Sequence, residues 1–220
     1  VEWQPLALSF EIAALSTAIT TALGVALAWL LATKRFPGRD LVDVLVTAPM
    51  VMPPTVLGYY VLVLVGRRSV IGHAYEAVTG STLVFTKSGA VLAASLGALP
   101  LVTKSARAAL EGVDRQLVEA ARTLGASPAR AFATIQIPLA LGGIVAGVML
   151  AFARSLGDFG VTLMVAGDIP GETQTASLAI YDALQANRGA DALGMVAVMT
   201  VVAIAVLYGA NKLSGGARGI

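Results

Sequence analysis

Apolar residues in this chain gather into long runs instead of alternating with polar ones. Four runs, 6–32, 41–65, 139–157 and 192–213, are long enough to cross a bilayer as helices. Such a crossing takes about 20 predominantly apolar residues. A fifth run, 89–108, is less apolar at its end, where Lys104 and Arg107 stand. The pattern predicts an all-α transmembrane bundle of five spans, forming one domain over 6–213. Pro53 and Pro54 interrupt the second span and Pro100 the third. Proline removes a helix hydrogen bond and kinks the chain, so each site reads as a packing kink or a functional hinge. Between 158 and 191 the only apolar stretch of note, Val161 to Ala166, is too short to cross. It runs into GDIPGE, a turn signal. This segment is expected to be an external loop, entering the membrane only where protein or water covers its backbone.

Composition agrees with the pattern. Hydrophobic residues make up 57% of the 220 positions and charged residues 13%. Soluble domains carry about 25% charged residues, so an ordinary water-soluble fold is excluded. Disorder is excluded too, because it needs low hydrophobicity and high charge. The chain has no cysteine and one histidine, His73, which leaves no thiolate or His-rich metal centre. A net charge of +2 gives no reason to expect nucleic acid.

The placement of charge says more than its sum. With five spans, the 33–40 linker, the 104–130 stretch and the tail share one side. They hold 10 of the 15 lysines and arginines. Positive charge is enriched in cytoplasmic loops. The N-terminus is therefore expected outside, with the C-terminus and 104–130 in the cytoplasm. Lys104 and Arg107 are expected to snorkel to that interface.

The 104–130 stretch has its own local grammar. Asp114 is placed to cap a short helix from Arg115 to Leu124. Leu117, Ala121 and Leu124 fall at i, i+4 and i+7, on one face. Gly125 stands where a left-handed helix stop is wanted. Ser127 is a second N-cap and Pro128 takes the first helical position. Pro138 marks entry to the next span. Two readings stay open on this pattern alone: a loop helix packed beneath its own bundle, or a helix offered to a partner.

The spacing of Glu119-Ala120-Ala121, Gly125, Ile135 and Ile137-Pro138 resembles the EAA signature of ABC importer permeases. Over a longer reach, ATKRFPGRD (32–40), PMVMPPTVLGYYVLVLVGRRSVIG (49–72), ALEGVDRQLVEAARTLGAS (109–127), AFARSLGDFGVT (151–162) and IPGETQT (169–175) are similar to permeases of molybdate importers. Tungstate and sulfate/thiosulfate permeases carry similar strings.

The resemblance implies a type 1 ABC importer permease fold with a cytoplasmic coupling helix in the segment 114–130. It assigns ATPase coupling to Glu119, Ala120, Ala121, Leu124, Gly125, Ile135 and Pro138. The partners it implies are two copies of a cytoplasmic ATPase, an external or periplasmic oxyanion-binding protein and a second copy of this chain. The location it implies is a bacterial cytoplasmic membrane, crossed several times and surrounded by lipid. ATP and Mg would be used by the ATPase, with no cofactor on this chain. The chain itself has no GxxxxGK[ST] phosphate loop, no HExxH and no convincing triad.

Ionisable groups inside a membrane are costly and are functional candidates by default. Arg154 and Asp158 are i and i+4 at the expected outer end of the fourth span. They read either as a structural pair or as part of an outer gate with Ser155 and Phe159. Pro53, Pro54 and Thr55 are the matching gate or path candidates on the second span. Gly143 and Gly147 suit a close helix–helix contact. An ATP-independent anion channel or secondary transporter explains the spans equally well but gives the EAA spacing no purpose.

Overall fold

The computed structural model describes residues 3–216, and every regular element among them is helical. The elements are α1 (Trp3–Thr33), α2 (Arg39–Val51), α3 (Pro54–Val65), α4 (Val70–Thr79), α5 (Lys87–Glu111) and α6 (Arg115–Thr123). They are followed by α7 (Pro128–Ala131), α8 (Ile137–Leu156), α9 (Gly160–Ala166), α10 (Ala176–Gln185) and α11 (Gly189–Gly216). The expected contribution of Arg218 to the charge balance lies outside the described residues.

Four stretches are long and apolar enough to cross a membrane: α1, α5, the run from α7 through α8, and α11. Their contacts fix the directions. Glu11 of α1 meets Lys87 of α5 at 2.6 Å, and Ala28 packs with Ala106 and Leu110 further along. The two helices are therefore parallel. α8 runs against both, because Gly147 faces Ser105 and Gly143 faces Ala109. A Cβ on either glycine would lie 2.5–2.7 Å from those side chains, so this close approach requires glycine. α11 returns alongside α8, with Gly142 at Leu213 and Gly209 at Met149.

Parallel α1 and α5 require the chain between them to travel back the length of the bundle. α2 and α3 make that return. Asp43 of α2 sits beside Lys104 and Arg107, near the end of α5. Val65 of α3 packs with Val84, just ahead of the start of α5. The expected single span 41–65 is thus a pair of helices, bent by 120° at the break between Val51 and Pro54. Two prolines in a row explain why the helix stops. The size of the bend comes from packing, since Leu57 and Val61 turn onto Val161 and Val165 of α9.

The 158–191 segment is not an external loop. Val161, Thr162, Val165 and Ala166 of α9 are buried, and so are Ala176, Leu178, Ala179 and Ala183 of α10. α9 fills the space between α3 and α5. α10 lies on α1 and α11, where the Ser9 hydroxyl accepts a hydrogen bond from the Ala176 N–H at 2.8 Å. The turn 167–175 that joins them lies by the starts of α1 and α5, where Gly171 meets Gln4 and Gly167 meets Phe85.

Candidate functional site

At one end of the bundle, α6 forms as the sequence predicts. The Asp114 carboxylate accepts from the Gln116 N–H at 2.8 Å, capping the helix start. The helix ends in a Schellman turn, in which the Ala126 N–H bonds to the Ala121 carbonyl and the Gly125 N–H to the Arg122 carbonyl. Gly125 holds φ +89°, the left-handed conformation that this turn needs. The Ser127 hydroxyl then accepts from the Arg130 N–H, and Pro128 opens α7.

No residue of α6 is buried. Val118 and Ala121 are half-buried toward the body, whereas Leu117 is 49% exposed and Leu124 89%. The expected ridge is therefore split. Ala121 leans inward, and Leu117 and Leu124 are left without cover in this chain. Glu119 and Ala120 are exposed with them.

Pro138 does not open a new helix. The helix runs without interruption from Pro128 to Leu156, and Pro138 lies inside it. A proline at that place has no N–H for the α-helical ladder. The chain accommodates it with a π-helical turn over Phe132–Gln136, in which the Ile137 N–H reaches the Phe132 carbonyl. Ile135 is half-buried within this turn. At 1.5 Å per residue the continuous helix is about 43 Å long. It ties the turn after α6 directly to the other candidate residues.

Those residues converge. Arg154 donates to Asp158 at 2.8 Å, and Asp158 is only 3% exposed. Its second oxygen accepts from the Thr162 N–H at 3.0 Å and from the Thr162 hydroxyl at 2.6 Å. The carboxylate thus joins the last turn of α8 to the first turn of α9. Ser155 is buried, and its hydroxyl has no hydrogen-bond partner among the described residues. Phe159 stacks toward Tyr181 of α10, with ring centres 5.2 Å apart.

The pair stands at the end of the long apolar helix, at the last turn of α8. The Arg154 guanidinium lies against Gly97, which is about 15 Å along α5 from Lys87 and about 21 Å from Glu111. It therefore lies near the middle of α5, and α9 carries the chain onward from there. Pro54 meets Gly160 at the same place: a Cβ on Gly160 would come 2.8 Å from the Pro54 Cβ. The two breaks, Pro53-Pro54-Thr55 and Gly157-Asp158-Phe159, are thus brought together. Pro53, Pro54 and Thr55 are themselves exposed.

Reading the sequence missed Gly97, Gly160 and Thr162. Only Thr162 left a signal, four residues after an aspartate at a helix start. Lys104 and Arg107 also have another role than snorkelling. Lys104 pairs with Asp43 at 3.0 Å, and Arg107 bridges Asp43 at 2.9 Å and Glu111 at 2.8 Å. Among the described residues, no group of three or more metal-binding side chains is found.

Comparison with known proteins places this architecture. The family described as "binding-protein-dependent transport system inner membrane component" matches residues 21–213. The molybdenum transport system permease protein of Escherichia coli is 44% identical over 91% of this chain and 87% of its own length. That of Haemophilus influenzae is 43% identical over 84% of this chain and 81% of its own. A solved chain of the methionine ABC transporter, in inward-facing conformations, aligns with a TM-score of 0.67. The alignment covers 98% of this chain and 93% of that one at 17% identity, which is a likeness of fold.

Proposed function

This chain belongs to the family of binding-protein-dependent transport system inner membrane components, and from that membership we propose that it is the permease subunit of an ATP-driven molybdate importer. The substrate follows the relatives, which are named for molybdenum transport over most of the chain. The chain is a transport component, and ATP hydrolysis belongs to a separate subunit. A second copy of this chain, two ATPase copies and an external oxyanion-binding protein complete the assembly. The chain starts outside and ends in the cytoplasm, with α6 on the cytoplasmic side.

The observation that carries the mechanism is the rigid path from α6 to the middle of α5. The ridge of Leu117 and Leu124 is the surface offered to the ATPase. Ala121 seats the helix against the body, Glu119 and Ala120 stand exposed beside the ridge, and Gly125 sets the turn behind it. A displacement of α6 moves the continuous helix 128–156, because Ser127 and Pro128 leave no slack between them. That helix ends at Arg154 and Asp158, where α8, α9 and α3 meet. The two breaks then shift as one body, opening the path toward one side or the other. ATP binding at a distant site biases a two-state rigid-body switch in this way.

Arg154 is the cation nearest the path beside the middle of α5. Its side chain is 38% exposed and already shared with Asp158. A partly neutralised cation attracts an oxyanion without holding it, as conduction requires. Ser155, Phe159, Pro53, Pro54 and Thr55 shape the same constriction.

The test is ATPase activity of the chain reconstituted with its ATPase and binding protein, with molybdate, tungstate or sulfate loaded. Stimulation by molybdate, with sulfate silent, is the expected outcome. Stimulation by sulfate alone would keep the mechanism and change the substrate. Failure to associate with any ATPase would remove the proposal.

A further inference from the structure

Beside α6 the molecule holds a cavity of about 860 Å³, bounded by the end of α1, the start of α2, the end of α5 and α6 itself. Five cations line it, Lys34, Arg35, Arg39, Arg115 and Arg122, against the carboxylates of Glu111 and Glu119. Glu111 is already engaged, at 2.8 Å from Arg107 and 3.9 Å from Arg39. Arg39 is also occupied, since its Nε donates to the Leu31 carbonyl at 2.9 Å. Lys34 lies over the Trp29 ring, 5.8 Å from its centre. Arg35, Arg115 and Arg122 are exposed, and their guanidinium groups make no hydrogen bond or ion pair with any described residue.

An excess of positive charge around a concavity concentrates anions there. Guanidinium groups match the paired oxygens of a tetrahedral oxyanion. Basic pockets at the ends of membrane helices also suit lipid headgroups, which carry the same phosphate chemistry. We propose that this cavity binds a phosphate-class oxyanion, either free in solution or as the headgroup of an anionic phospholipid. The bound anion bridges Lys34 and Arg35, on the α1–α2 linker, to Arg115 and Arg122 on α6. It therefore fastens α6 to the body of the bundle and restrains the element whose movement matters for coupling. Binding itself is a property of this chain and does not rest on the transport reading.

Trp29 gives a reporter, because its ring carries Lys34 at the cavity edge. The chain has one other tryptophan, Trp3, at the far end of α1. The experiment uses the full chain with Trp3→Phe, in nanodiscs of zwitterionic lipid, titrated with inorganic phosphate. A parallel arm replaces part of the lipid with phosphatidylglycerol and omits phosphate. The expected result is a saturable change in Trp29 emission in at least one arm. Combining Arg35→Gln, Arg115→Gln and Arg122→Gln weakens it by about tenfold or more, the loss of one charge-assisted contact or more.

A response to phosphate identifies a free oxyanion, and a response to phosphatidylglycerol alone identifies a headgroup. The same three positions changed to Lys retain the charge and recover part of the response, which separates loss of binding from loss of folding. No response in either arm, or an undiminished response in the Gln variant, would overturn the proposal.

Discussion

Pro54 and Gly160, more than a hundred residues apart in sequence, touch so closely that the glycine has no room for a side chain. The contact joins the break in the α2–α3 pair to the break between α8 and α9. The two chain interruptions therefore move together.

Gly160→Ala is expected to push these breaks apart. Its Cβ would lie 2.8 Å from the Pro54 Cβ, closer than real Cβ atoms approach a neighbour. Overpacking of this kind costs about 1–3 kcal/mol. Transport in vesicles should fall severalfold while the chain still inserts and assembles. Unchanged uptake would show that the two breaks need not move as one.

Gly125→Val should uncouple the assembly. A β-branched residue at φ +89° is strained by about 1–2 kcal/mol or more, and the Schellman turn behind α6 would open. The expected phenotype is normal membrane insertion with anion-stimulated ATPase activity and uptake both lost. Uptake at the parental rate would remove α6 from the coupling path.

Asp158→Ala should destabilise the chain more than Arg154→Ala. The first leaves both the Thr162 N–H and its hydroxyl unpaired in a buried place, at about 1–3 kcal/mol for each. The second removes a side chain that is partly exposed. Thermal melting of the two variants in one detergent gives the order directly.

Asp168, in the turn after α9, provides a pH dependence. Burial, and next the negative charge of Asp182, hold its carboxyl above the ordinary 3.8. The folded chain therefore keeps a proton that the unfolded chain releases. This contribution to stability is complete below the ordinary carboxylate value and is lost as pH rises through the raised one. Asp168→Asn should flatten the fall in melting temperature as pH rises above the ordinary carboxylate value. An unchanged slope would assign it to another group.

Long apolar runs coincide with the four long helices α1, α5, α8 and α11, because a helix crossing lipid must be apolar over most of its length. The caps at Asp114, Ser127 and Gly125 were equally legible, since each acts on backbone groups within three or four residues. What escaped was tertiary. Pro53-Pro54 announced an interruption, but 120° of bend depends on α9, whose seven residues are too few to register as a buried helix. Asp43 finds Lys104 and Arg107 from more than sixty residues away. A carboxylate near a span end and two cations near another gave no sign of that meeting. Pro138 misled for a related reason, because a π turn can absorb a proline that an α-helix would reject.

That π turn also sets a phase. One extra residue in a helical turn rotates everything beyond it by about 100° about the axis. α7 and α8 are thus one shaft with a fixed angular offset between its two ends. The end at Ser127 orients α6, and the other turns Gly143 and Gly147 toward α5. Deleting a single residue from Phe132–Gln136 would keep the glycines facing α5 but force Pro138 into an α-helical turn, which it would kink. It would swing α6 about a quarter-turn away from the direction it now faces.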